Sequence, residues 1–352
     1  MSKSLFSPIY EILKDAKRGK MFILVDDKDR ENEGDLILAG SKCNSKGINF
    51  MAKHGRGLIC LALSKKHVER LKLPLMSRTN KSRMQTAFTV SIEAKKGIST
   101  GISAYDRAKT IKVAISSRTK KGDIVSPGHV FPLVARAGGV LERAGHTEAS
   151  VDISKLANLN PSAVICEVMN EDGRMARLQD LKKFSIKHKI KIASIEDLIA
   201  YRLKNENLIN KVSTKFFNHK KFGKFEHITY ENKLNGSKNF VIKKGSFKVN
   251  KTIRVRVIST NLSNSKTFLK ESKTKRSLNY LSKFSNFALI VINSGKIEKN
   301  EKDNVILRYY GIGAQIIKDL KVKKMVLVTR TRKRLIALEG FGLKIKKQEI
   351  LK

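Results

Sequence analysis

The chain has 352 residues, 41% hydrophobic and 30% charged, which suits two domains with their own cores and not a disordered chain. No apolar run approaches the roughly 18 residues needed to span a bilayer, and Met-Ser-Lys-Ser opens no hydrophobic signal core, so a cytoplasmic location is expected. The three cysteines, Cys43, Cys60 and Cys166, include no C-x-x-C pair, which argues against a disulfide framework or a zinc knuckle. Cys60 and Cys166 lie in LICLAL and AVICEV, where a buried, inert thiol is expected.

The formal charge is +42, and roughly +26 of it follows residue 203, where about 36 Lys and Arg face about 10 Asp and Glu. Such a balance can mark a nucleic-acid surface. The lysines are scattered singly or in pairs, however, without the interleaved aromatics of a single-strand binder. Nucleic acid is kept as an alternative partner for the C-terminal part, and no membrane partner is expected.

In chain order, Ser7-Pro8 can cap a first helix, with Ile9, Ile12, Leu13 and Ala16 at helical spacing and Gly19 as its stop. MFILV (21–25) and LILAG (36–40) read as strands around an acidic loop. Further apolar runs are GLICLAL, TAFTVSI and HVFPLVA, separated by helical stretches such as KKHVERLKL and AYDRAKTI. The segments 174–190 and 193–204 are amphipathic. Strands and helices mix without a clean βαβ rhythm, so an α+β fold is expected: a three-layer domain with a mixed sheet flanked by helices. Composition shifts over 203–212, and residues 205–352 read as a smaller α/β domain with strand-like HITYEN, NFVIKKG, IRVRVIST and FALIVI before a helix–strand–helix ending.

Residues 26–35, DDKDRENEGD, hold six carboxylates: Asp26, Asp27, Asp29, Glu31, Glu33 and Asp35. Flanking strands would gather them at one sheet end, where like charges need a cation to offset them. Hard oxygen ligands favour Mg²⁺ or Mn²⁺. A solvated hairpin loop is the alternative reading of this stretch alone. A second cluster lies in 128–153, which is rich in Gly and carries His129, Arg136, Arg143 and His146. Arg143-Ala144-Gly145-His146-Thr147 sets a guanidinium and a hydroxyl around a small-residue turn before a helix, which suits a phosphate. Glu167 follows the buried run AVIC directly.

Together, DDKDRENEGDLILAG, NFMAKHGRGLICLAL, LPLM, TAFTVSIEA, TGISAYDRAKTI, the 128–153 segment and ICEVMNEDGRMARLQDL resemble 3,4-dihydroxy-2-butanone 4-phosphate synthase over about residues 5–203. The resemblance implies conversion of D-ribulose 5-phosphate to L-3,4-dihydroxy-2-butanone 4-phosphate and formate in riboflavin biosynthesis, by a Mg²⁺-dependent carbon–carbon lyase. It implies a homodimer with two ions per site near the subunit interface. Glu31 and His146 match the metal ligands. Arg30, Glu31, Asp35, Arg143, Ala144, Gly145, His146, Thr147 and Glu167 match substrate-binding positions, and His129, Glu167 and Asp35 match catalytic ones. The chemistry fits: proton removal at C3 of the ketose builds enediolate charge that divalent ions can stabilise, and later steps need groups that give and take protons.

The end of the chain, residues 308–345, resembles the close of GTP cyclohydrolase II. RVRVISTNLSNS (254–265) aligns with that family's first zinc cysteine but holds Asn261 there, and no cysteine follows Cys166. The family's Arg- and Gly-rich catalytic string is replaced by VINSGKIEKN (291–300). No zinc is expected, and hydrolysis of GTP should be absent. Residues 1–204 are therefore read as the synthase and 205–352 as a degenerate cyclohydrolase-like domain. The alternatives for the latter are an active cyclohydrolase, making the chain bifunctional, or a basic nucleic-acid module.

Overall fold

The computed structural model describes residues 6–28, 30–120, 122–247, 251–260, 271–293, 302–330 and 343–351, with backbone alone over 302–310. The chain clusters into two compact units, Met1–Ile199 and Ala200–Lys352. The divide falls inside helix 195–205, whose C-terminal end is where the compositional boundary lies.

The first unit comprises α1 (Ile9–Lys17), β1 (Phe22–Val25), β2 (Gly34–Ala39), α2 (Ser45–Phe50), β3 (Cys60–Ser64), α3 (Lys65–Leu71), β4 (Ile92–Ala94), α4 (Ala104–Ile115), β5 (Ile124–Ala135), α5 (His146–Leu156), β6 (Ser162–Glu167), α6 (Leu178–His188), β7 (Lys191–Ser194) and α7 (Ile195–Asn205). Its seven strands run in the order β4-β5-β3-β6-β2-β1-β7. The β1–β7 and β3–β5 pairs are parallel and the others antiparallel, so the sheet is mixed, as expected. Three sequence details resolve differently. Pro8 itself occupies the position before α1, with no side-chain cap, and Ser7 instead donates its N–H to the Ile192 carbonyl at 2.7 Å. TAFTVSI forms only bridges until Ile92, because its backbone groups go to neighbouring loops and to β5. The 174–190 helix starts at Leu178, where the Asp180 carboxylate accepts the Arg177 N–H at 3.0 Å.

Strand alternation sorts side chains onto two faces. Ile23, Val25, Leu36, Leu38, Leu61, Leu63, Val164 and Cys166 face one way, packing with Ile48 and Met51 after α2, Ile111 and Ala114 of α4, and Leu181 of α6. The opposite face is covered by α5, which lies across β1, β2, β3, β5 and β6, and by α1 beside it, which packs on β1, β2 and β7. Helix α5 is buried from His146 to Ser154, and its interior polar side chains find partners within the fold: Ser154 Oγ donates to the Ser150 and Ser162 carbonyls, and Asp152 accepts the Val140 N–H at 2.8 Å.

The second unit comprises β8 (Ile209–His219), β9 (Gly223–Asn232), β10 (Lys238–Lys244), β11 (Thr252–Thr260), α8 (Ser272–Leu281), β12 (Phe287–Asn293), α9 (Lys302–Asp319), β13 (Lys324–Thr329) and β14 (Lys344–Ile350). The strand order is β14-β13-β11-β12-β10-β9-β8, parallel from β14 to β12 and antiparallel beyond. Phe225, Phe240, Ile242, Leu278, Leu281 and Leu289 anchor its core. The buried Tyr230 hydroxyl donates to Asp319 Oδ2 at 2.6 Å. Asn261, residues 294–300 of VINSGKIEKN, and the expected last helix within 331–342 lie outside the described residues.

Leu61 is fully buried in β3, an interior strand of the first unit's sheet. Leu61→Ala is expected to destabilise that unit by about 2–5 kcal/mol through lost burial and an unfilled cavity, read as a lower urea midpoint at unchanged slope.

Candidate active site

Alternation and register explain why carboxylates converge. Asp26 continues the Phe22–Leu24 face of β1, Asp35 shares the face of Ile37 and Ala39 on β2, and Glu167 shares that of Ala163 and Ile165 on β6. This is the face that α5 covers. Asp35 pairs with Leu24 on one side and directly with Glu167 on the other. The N-terminus of α5 meets this acidic row, and His146 is its first residue.

The ring Nδ1 of His146 lies 3.7 Å from Glu31 Oε2 and 3.8 Å from Asp35 Oδ1. Asp26, Glu31 and His146 each offer a ligand atom within 4.8 Å of the others. The Nε2 of His146 is buried and without a hydrogen-bond partner. A buried ring nitrogen without a partner, in an imidazole whose Nδ1 faces two carboxylates, fits a divalent cation site at which metal binding would displace the ring's extra proton. Asp26 also shapes the loop, accepting the Glu31 N–H at 3.1 Å and the Glu33 N–H at 2.8 Å. Arg30 Nη1 donates to Asp26 Oδ2 at 2.8 Å and also to Glu31. Asp29 lies outside the described residues.

The environment separates these groups in acidity. Burial pushes the Asp35 carboxyl up to about 7, with Glu167, Glu31 and Asp26 adding to the rise and His146 opposing it. Burial acts against the Glu31 anion too, but His146 and Arg30 outweigh it and bring Glu31 down to about 2. Burial disfavours the His146 cation, yet the Asp35 and Glu31 carboxylates raise it to about 9. Glu167 is oriented by the Leu58 N–H, 2.9 Å from its Oε2. That contact requires Gly57, where a Cβ would stand 2.5 Å from Glu167 Oε2. As expected, burial raises the thiols of Cys60 and Cys166, the latter to about 12, which leaves both inert.

Arg143 folds back across the α5 terminus. Its Nη1 donates to Glu148 Oε2 at 2.7 Å, and its Nη2 donates to the Met84 carbonyl at 2.9 Å and Thr86 Oγ1 at 3.2 Å. Gly145 must lack a side chain, because a Cβ there would lie 2.4 Å from Arg143 Nη1. Ala144 and Thr147 are buried in the same turn. His129 makes no hydrogen bond or ion pair to this cluster. Its Nδ1 lies 2.6 Å from Glu93 Oε1, across the β4–β5 edge.

Residues 10–201 match the family model of 3,4-dihydroxy-2-butanone 4-phosphate synthase. The chain belongs to the 3,4-dihydroxy-2-butanone 4-phosphate synthase family. Residues 267–349 match the model of GTP cyclohydrolase II. The chain is similar to the riboflavin biosynthesis protein RibBA of Aquifex aeolicus (strain VF5), at 45% identity over 370 residues covering 97% of this chain and 91% of that protein. The crystal structure of RibBX, a two-domain synthase from A. baumannii, superposes with a TM-score of 0.84 at 38% identity, covering 97% and 99% of the two chains. A synthase crystal structure in complex with two magnesium ions matches at a TM-score of 0.54 and 37% identity, covering 57% of this chain and 98% of that one. The synthase fold and the two-domain arrangement thus agree with the sequence reading.

Sequence reasoning left Asp26 among the loop carboxylates without naming it a site residue, and passed over Glu148 and Glu93. Asp26 carried a signal, since it directly ends a fully apolar strand. Glu148 carried only a weak one, its place in the first turn of α5, and it proves to be 1% exposed and the anchor of Arg143. Glu148→Ala would leave the Arg143 guanidinium facing an uncompensated gap and is expected to cost about 3–5 kcal/mol, measured by denaturant unfolding.

Proposed function

We infer that residues 1–204 form the synthase domain and that its substrate is D-ribulose 5-phosphate, converted to L-3,4-dihydroxy-2-butanone 4-phosphate and formate. The observation that carries this reading is the buried cluster of Asp26, Glu31 and His146, whose ligand atoms lie within 4.8 Å of one another and whose His146 ring keeps one nitrogen without a partner. Glu31 and His146 would hold Mg²⁺ or Mn²⁺, two ions per site, with Asp26 close enough to share them. Bound there, divalent ions supply the positive charge that offsets an anion developing on adjacent substrate oxygens.

This chain's residues then have separable tasks. Arg143, Thr147 and the first N–H groups of α5 suit the phosphate, and Arg30 suits the sugar end beside the acidic loop. Asp35 can take and return a proton near neutral pH because its carboxyl sits at about 7. Glu167, fixed by the Leu58 N–H, stays aimed along the same row. His129, held by Glu93, is kept as a catalytic candidate on the strength of the family resemblance. The reading includes a homodimer with its site near the subunit interface and a cytoplasmic location.

Glu31→Ala and His146→Ala are each expected to reduce formate release from ribulose 5-phosphate by at least ~10²-fold at saturating Mg²⁺, with circular dichroism unchanged. Substantial turnover by either variant would remove the metal assignment.

For residues 205–352 the reading is a cyclohydrolase-derived domain without hydrolase activity. It rests on the cysteines, none of which follows Cys166, so three thiolates cannot meet around zinc in this unit. The match to GTP cyclohydrolase II favours one rival, a bifunctional enzyme with other ligands. Incubation with GTP and Zn²⁺ is expected to yield neither formate nor pyrophosphate, and sustained release of both would establish the rival instead.

A further inference from the structure

On the sheet face away from α5, the first unit holds a cavity of about 470 Å³ that none of the residues assigned above lines. Its walls come from the turn after α2, the segment after β6, and α6. Residues Met51–Gly55 form a single π-helical turn that ends with Arg56 in the left-handed region (φ 69°). Such wide turns recur at functional sites because they turn side chains out of the regular helical ladder.

One wall is aromatic. The His54 and His188 rings stand 4.8 Å apart between centroids, and Phe184 lies 4.4 Å from His188. Phe50 backs His54 at 4.7 Å. The rim is cationic, formed by Lys53, Arg56, Lys183 and Lys187, all exposed. Only two carboxylates line the cavity, and both are engaged. Asp180 accepts the Arg177 N–H at 3.0 Å and the Asn170 side-chain amide at 3.3 Å, while Glu171 lies 3.5 Å from Arg56 Nη2. Among the described residues, Lys53, Lys183 and Lys187 pair with no carboxylate. The field they create is visible in the rings. Partial burial first, then Lys53, Lys187 and Arg56, hold His54 below its usual range, and burial with His54 and Lys187 does the same to His188.

We propose that this cavity binds a phosphate ester carrying a planar ring, the chemical class of mononucleotides. The volume falls in the range that encloses a small organic ligand. Unpaired ammonium groups and imidazole N–H groups suit a phosphate dianion at the rim, and the ring wall suits a flat heterocycle through stacking and ring-edge contacts. A phosphate alone would leave the aromatic wall unused, and a neutral ring would leave the lysines uncompensated.

The test titrates the full-length chain by calorimetry with AMP, adenosine and inorganic phosphate, at low salt and at 150 mM. The comparison is with a Lys183→Glu/Lys187→Glu double variant and with His188→Ala, with melting curves confirming folded protein. The expected result is that AMP binds at least ~tenfold more tightly than adenosine or phosphate and at least ~tenfold more weakly in both variants, with formate release unchanged. AMP binding that survives the charge reversal would place the nucleotide elsewhere on the chain and overturn the proposal. So would AMP binding no tighter than phosphate, or no AMP binding at all.

Discussion

The site in the first unit depends on one electrostatic conflict. Strand pairing sets Asp35 directly opposite Glu167, and the same face receives Asp26 and, across the loop, Glu31. Directly paired side chains lie about 5 Å apart, where two full charges repel by roughly 3 kcal/mol even at an effective dielectric of about 20. The fold meets this in three ways. Asp35 holds its proton to near-neutral pH. The α5 N-terminus and His146 bring positive charge to the row. Backbone N–H groups at Glu31, Glu33 and Leu58 hydrogen-bond to Asp26 and Glu167. What they leave unanswered is the unpartnered His146 Nε2, and a divalent cation that displaced the ring's proton would take over its charge-balancing role.

Much of this was legible in the sequence for a definite reason. Six carboxylates between two apolar strands cannot be scattered by folding, because the strands fix where the loop begins and ends. Likewise a small-residue turn ahead of a helical pattern delivers His146 and Thr147 to a helix start. The cross-strand partners were not legible. That Glu167 faces Asp35, or that Glu93 binds His129, depends on register between segments far apart in sequence, and one chain shows no register. Glu148 was hidden differently, as an acid in a first helical turn that reads like an ordinary surface residue. Strand β8 escaped because its residues between Lys211 and Asn218 are almost all exposed, so no apolar alternation marks it.

The second unit rests on apolar burial. Its parallel strands β11 to β14 and the aromatic core around Phe240 and Phe287 are held together by packing that requires no metal ligand. Arg256 makes the point locally. It is 5% exposed and held by Ser277 Oγ at 2.7 Å and the Val328 carbonyl at 3.2 Å, with no carboxylate at the guanidinium among the described residues. A buried charge kept by neutral acceptors alone depends on the packing around it.

The charge of the whole chain bears on the acidic site. With a formal charge of +42, the long-range field attracts anions at low ionic strength. The same field opposes divalent cations, so uptake of a metal must rest on short-range features: carboxylates already brought together, a ring nitrogen with no partner, and the exclusion of water around a row that is nine-tenths buried at Asp26, Asp35 and His146. Beyond a Debye length of about 8 Å at physiological salt the global field fades, while contacts inside the cluster persist. Distance therefore separates the two requirements: the basic exterior acts on the approach of the phosphate, and the acidic interior decides which cation stays.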